Sequence, residues 1–186
     1  MLFDLHDSGL DYIDMPASSS LMRNWYHDRK LSGVLNHQAK SHMKDDLLRY
    51  FYLATASSYY GRLLKLADFP IKLLPVHKNV MEGVQGKMFS DRFRVQQKGI
   101  SATTITSHLA KDGHYFIHYD PLQCRCLTVR EAARIQTFPD NYYFTGSRTA
   151  QYIQVGNAVP PYLAYQIASC VRTVLKEQGT LVSYGR

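Results

Sequence analysis

Apolar positions recur at two different periods along this chain, and they divide it. In "KDDLLRYFYLATASSYYG", residues 44 to 61, Leu47, Phe51 and Ala54 fall at helical spacing. Acidic residues open that stretch, where a helix dipole favours them, and Gly61 stands where a helix stops. The spacing predicts a helix over 44–61. "LADFPIKLLPVHKNV" carries two prolines and reads as loop with a short turn. From 88 to 119 the texture changes. "FSDRFRVQ" and "SATTITSHL" alternate and are rich in β-branched residues, and "AKDGHYFIHYDP" places a turn signal at Asp112-Gly113 before an aromatic run. The pattern predicts a hairpin. Over 128–138 the helical period returns. Thr128 and Glu131 form a T-x-x-E capping box, and Pro139 closes the far end. The last helix is the clearest. Pro160 and Pro161 sit where a first turn tolerates them, Leu163, Ile167, Val171 and Val174 share one stripe, and Gly179 ends it. Such a stripe needs something to pack against. Residues 1–40 are polar and irregular, with "MPASSS" as loop.

The 186 residues suit one domain, or one and a part, and 45% hydrophobic with 20% charged is a globular composition. No apolar run approaches the roughly 18 residues of a membrane span. The start has early acids and no basic region, unlike a secretory signal. Three cysteines, an odd number, argue against a disulfide framework and point to a reducing cytoplasm. The formal net charge of +7 makes nucleic acid the first partner to consider, beside the plainer reading of a merely basic soluble protein. The basic residues are scattered: Arg23, Arg29, Lys30, Lys40, Lys44, Arg92, Arg94, Lys98 and Lys111. That scatter suits a folded basic face better than a disordered arm.

His114, His118, Cys124 and Cys126 look on paper like a zinc set. If "HYFIH" is a strand, its two histidines lie about 13 Å apart, at roughly 3.3 Å per residue. They then cannot share a tetrahedral ion, which leaves structural or DNA-facing histidines. Cys124 and Cys126 flank Arg125, which could activate a thiol, while Cys170 reads as core. There is no G-x-G-x-x-G and no G-K-S/T. Gly156-Asn157 reads either as a turn presenting N–H groups to a carboxylate or as an ordinary helix-start turn.

"RCLTVREAARIQTFPD" followed by "QYIQVGNAVPP" resembles the ninth and tenth motifs of the DNA cytosine-5 methyltransferases, at the expected spacing. "RFRVQ...SATTITSHLAKDGHYFIHYDP" resembles the lead-in to the ninth motif in one group of bacterial enzymes. "VLNHQAKSHMKDDLLRY" is similar to the recognition region of that group. In this family a large domain binds S-adenosyl-L-methionine and holds the catalytic residues, and a small domain recognises the target. The cytosine is flipped out of the duplex. A cysteine thiolate attacks C6, a glutamate holds N3, and C5 takes the methyl group.

The departures from the family are as informative. Its nucleophile sits in Pro-Cys, but here Gln123, Arg125 and Ser169 precede the three cysteines. Glu-Asn-Val and the Phe-x-Gly-x-Gly cofactor loop are absent too, so no catalytic residue is assigned and enzyme activity is left open. The chain is expected to begin after those motifs, inside the recognition region. The resemblance implies an α+β fold: a mixed helix/strand recognition domain, then C-terminal helices completing a Rossmann-like catalytic domain. The expected divisions are 1–107 for target recognition, 108–150 for the rest of the small domain with the ninth motif, and 151–186 for the tenth motif and last helix. It implies cofactor contact at Asn157, Ala158 and Val159, DNA contact at Thr103 and Thr104, and a bracing role for Arg130 and Glu131. Lys111 joins the DNA-binding candidates as a basic residue. Any polar side chain between 20 and 100 is a candidate base reader. S-adenosyl-L-methionine would bind only with the missing catalytic part. The expected partners are double-stranded DNA and either a polypeptide supplying the catalytic domain or a second copy through 160–178, with no membrane. The chain is then a split subunit, a truncated product or a fragment, inactive alone; the alternative is a stand-alone DNA-binding module that has lost catalysis.

Overall fold

The structure is a computed structural model that describes residues 24–31, 33–76, 79–87, 90–111 and 113–178. The expectations for "MPASSS", Arg23, Asp112 and Gly179 fall outside those residues.

The first long helix, α1, spans Lys44–Tyr60, with Asp45 and Asp46 in its first turn and Gly61 closing it in the left-handed region at φ 63°. The stripe expected to face inward is only partly right. Ala54 is buried, but Leu47 and Phe51 are 38% and 49% exposed. The buried face carries Tyr50, Leu53, Ala54 and Ser57, turned toward Leu64, Leu66, Phe69, Phe93, Val95 and Ile117. Two apolar faces were available by spacing; the one that met Phe69 and Phe93 was buried. The proline-bearing stretch after α1 forms two 3-10 turns, Leu66–Asp68 and Ile71–Leu73, and a short helix α2 follows at Val80–Val84.

The predicted hairpin does not form, and with it the α+β expectation falls. Among the described residues there are helices, turns and isolated bridges, and no strand. Val95 pairs with Ile117 in parallel, and Ile117 with Cys126 antiparallel. Ile117 thus takes partners on both sides: its carbonyl accepts from Gln96 N at 2.8 Å and its N–H donates to Arg94 O at 3.0 Å, while neighbouring Phe116 O accepts from Leu127 N at 2.9 Å. The β-branched run 101–106 finds no ladder partner. It ends in the 3-10 turn Ser107–Ala110, whose Leu109 is fully buried. Strand propensity measures fit to a pleated, half-buried surface, and here a helix offers the better surface.

Helix α3, Val129–Ile135, starts on the expected capping box but stops short of 138. Thr137 adopts φ 61°, so the chain turns away and drops Phe138 into the core. Trp25 Nε1 donates to the Thr137 carbonyl at 2.7 Å, and Tyr162 N donates to its hydroxyl at 3.1 Å. Helix α4, Arg148–Asn157, was not foreseen; Ser147 caps it by accepting from Ala150 N at 3.3 Å. Gly156 and Asn157 are therefore its last turn, not a turn ahead of the next helix. Val159 precedes Pro160, and a residue before proline is pushed out of the helical region, which separates α4 from α5. Helix α5 runs Pro161–Glu177 and buries none of its residues. One core joins Ile105, Leu109 and Phe116 to Val129, Ala132, Phe138, Phe144, Tyr152 and Val155.

Candidate nucleic-acid interface

Charged residues organise the start of α3. Thr128 Oγ1 accepts from Glu131 N at 3.2 Å, and Glu131 Oε2 accepts from Thr128 N at 2.8 Å. The same carboxylate takes both Nη groups of Arg125, at 2.6 and 2.8 Å. Burial pushes the Glu131 carboxyl up, but the Arg125 hydrogen bonds and charge, with the Thr128 N–H, outweigh it and hold it below the ordinary range. Arg130 is 1% exposed. Its guanidinium donates to the carbonyls of Leu35 at 2.8 Å, Pro139 at 3.1 Å and Tyr142 at 2.5 Å, and lies 5.8 Å from the Phe144 ring centroid. Two segments far apart in sequence, at Leu35 and at the Pro139–Tyr142 turn, are thus held by one planar fork of donors. Asn36, not singled out by the sequence, completes this joint. At φ 55° it accepts from Phe144 N at 3.0 Å and donates to Phe144 O at 3.1 Å. An asparagine tolerates that backbone, the one signal its sequence offered.

Thr103 and Thr104 lie on the irregular stretch ahead of the 3-10 turn. Thr103 is half-buried and tied to Gln96, whose Oε1 accepts from Thr103 N at 3.2 Å and whose Nε2 reaches Thr103 Oγ1 at 3.1 Å. Thr104 is exposed, as is Lys111 at the end of the turn. Along this stretch Ile105 and Leu109 point inward, while Thr104, Thr106, His108 and Lys111 are exposed. A cavity of about 320 Å³ adjoins them, where Arg92, His108, Lys111 and Tyr115 stand over Leu66 and Val80. The Lys40 side chain donates to the Lys111 carbonyl, adding a cation to that edge.

Asn157, Ala158 and Val159 are brought together at the end of α4. Asn157 is exposed, Ala158 packs on the core, and Val159 is 64% exposed. Val159 also begins a shallow groove of about 500 Å³ continued by Ile167, Ala168, Val171 and Leu175. An exposed amide beside apolar surface fits one wall of a site for S-adenosyl-L-methionine, a ligand with a polar and an apolar end.

The histidines and cysteines are engaged elsewhere. His114 Nδ1 shares a 2.8 Å hydrogen bond with the Tyr50 hydroxyl, and its ring stacks on Phe93 at 4.3 Å. His118 Nδ1 accepts from Asp120 N at 3.1 Å. Among the described residues no group of three or more His, Cys, Asp or Glu could hold a metal ion. Burial pushes the Cys126 thiol up to about 11, and burial with the Asp120 charge also raises Cys124. Arg125 serves Glu131 and activates neither thiol. Cys170, read as core, is exposed on α5, because α5 has no covering layer. No described helix is long and apolar enough to cross a membrane.

A sequence profile of the C-5 cytosine-specific DNA methylases matches residues 20–172. The chain belongs to that family. It is 48% identical over 143 residues to the type II methyltransferase M.Bpa9945I of Bacillus paralicheniformis, covering 77% of this chain and 30% of that protein. It is 38% identical to the type II methyltransferase M.AgeI of Thalassovita gelatinovora, over 52% of this chain and 22% of that protein. It is 31% identical to the DNA (cytosine-5-)-methyltransferase M.ApeKI of Aeropyrum pernix, over 76% of this chain and 34% of that protein. The chain thus spans about a third or less of the length of these relatives.

Proposed function

We propose that this chain is the recognition-bearing C-terminal part of a DNA cytosine-5 methyltransferase, inactive until a polypeptide with the catalytic motifs joins it. One observation carries the reading: α5 follows a well-built core yet leaves Leu163, Ile167, Val171 and Val174 47%, 54%, 51% and 49% exposed. A contiguous apolar stripe in water marks an interface. Residues 1–107 supply target recognition, 108–150 the rest of the small domain, and 151–186 the edge that meets the catalytic part. Thr103, Thr104 and Lys111 face DNA phosphates. Arg130 and Glu131 brace the joint, and Asn157, Ala158 and Val159 form one wall of the cofactor site. S-adenosyl-L-methionine, when bound, supplies the methyl group. This chain's own work is to position the DNA and close that wall.

The test is methyl transfer from labelled S-adenosyl-L-methionine to duplex DNA. The purified chain alone is expected to give no incorporation. Adding a polypeptide that carries Pro-Cys, Glu-Asn-Val and the cofactor loop is expected to give it. Incorporation by the chain alone, abolished by replacing its cysteines, refutes the reading.

A further inference from the structure

The segment that carries the DNA-facing candidates is docked directly on the helix that ends in the cofactor-side turn. A Cβ placed on Gly156 would lie 2.3 Å from Ser107 N, 2.4 Å from the Thr106 carbonyl carbon and 2.6 Å from Ser107 Cα. These are backbone atoms, and they cannot swing aside as a side-chain tip can. Beside that contact, the buried Gln136 Nε2 donates to Val155 O at 3.2 Å and lies 3.4 Å from Ile105 O, spanning helix and segment. Ile105 and Leu109 share one core with Tyr152 and Val155. The outward residues Thr104, Thr106, His108 and Lys111 therefore sit on a ridge whose height is set by α4.

We propose that Gly156 is a positioning residue for DNA contact: its bare Cα lets the 103–111 ridge seat on the last turn of α4, so that the DNA-facing ridge and the turn at 157–159 hold one fixed relation. The proposal rests on the assignment of that ridge to DNA and extends it to Thr106 and His108. Contacts to phosphate fix a protein's register on the duplex, so lifting the ridge moves Thr104 on one side of the wedge and Lys111 on the other.

Binding of the chain to a short mixed-sequence duplex, measured over a salt series beside thermal melting, tests this. Gly156→Ala is expected to raise Kd about tenfold and to lower the salt slope by about one, the loss of one cationic phosphate contact. Val155→Ala, a truncation in the same helix with no wedge, is expected to lower Tm and leave the slope alone, which separates displacement from simple destabilisation. Should Gly156→Ala fail to fold, Gln136→Met removes the bridge without a wedge and is expected to shift Kd the same way. A folded Gly156→Ala with wild-type Kd and slope overturns the proposal, as does an unchanged Gln136→Met if it stands in. Lys111→Ala distinguishes the two levels. If it leaves the slope unchanged, the assignment of the ridge to DNA fails and the proposal with it. If it lowers the slope while Gly156→Ala does not, the proposal alone fails.

Discussion

Arg125 reaches Glu131 with both Nη atoms, at 2.6 and 2.8 Å, across the cap of α3. The pair joins the bridged stretch ending at Cys126 to the first turn of α3. Side-chain exposures of 11% and 23% put it well inside the usual surface ion pair. Glu131→Ala also opens the capping box and strands the guanidinium, and the expected loss is about 3 kcal/mol. Urea unfolding of Glu131→Ala, Arg125→Met and the double variant should show a coupling above about 1 kcal/mol. Additive single effects would show that the pair contributes nothing of its own.

Arg130→Lys should be poorly tolerated despite keeping the charge. One ammonium cannot serve three carbonyls that approach a planar fork from Leu35, Pro139 and Tyr142. Leaving buried carbonyls unsatisfied costs about 1–3 kcal/mol each. The urea midpoint is expected to fall steeply, and a variant matching the wild-type midpoint would contradict the bracing role.

Stability should fall on mild acidification. Burial pushes His37, His42 and His118 below their ordinary value in the folded state. The unfolded chain therefore binds protons first, near pH 6.5, so the contribution is complete above that pH and is lost as pH falls toward the folded values. His42 accepts from Cys126 N at 3.2 Å through Nε2, a bond that protonation of that nitrogen removes. The urea midpoint should drop between about pH 7.5 and 5.5, and a flat profile across that window would count against these histidines being buried neutral.

The stripe on α5 should drive association through 160–178. Burying four such side chains stabilises by roughly 1.5–3 kcal/mol each. Sedimentation is expected to show concentration-dependent self-association of the isolated chain, lost in Ile167→Asp with Val174→Asp while the helical signal of the rest persists. A wild-type chain that stays monomeric at high concentration, with the stripe shielded, contradicts the reading.

Local chemistry made much of this chain legible in advance. Helix α1 and the start of α3 depend on caps, dipole and stop residues within a few positions of one another, so Gly61, Thr128 and Glu131 could be read directly. The family was legible for a different reason: the residue order of 125–140 and 151–161 resembles it, whatever the backbone there does. Tertiary structure decided the rest. Alternation over 88–119 predicted a hairpin, but whether such a stretch pairs as a ladder depends on what lies opposite, and Ile117 has only single bridges to Val95 and Cys126. Which face of α1 is buried depended on Phe69 and Phe93, and the seating of Ser107 on Gly156, between residues far apart in sequence, left no local signal at all. Capping is a property of neighbours along the chain; burial and close backbone approach are properties of neighbours in space.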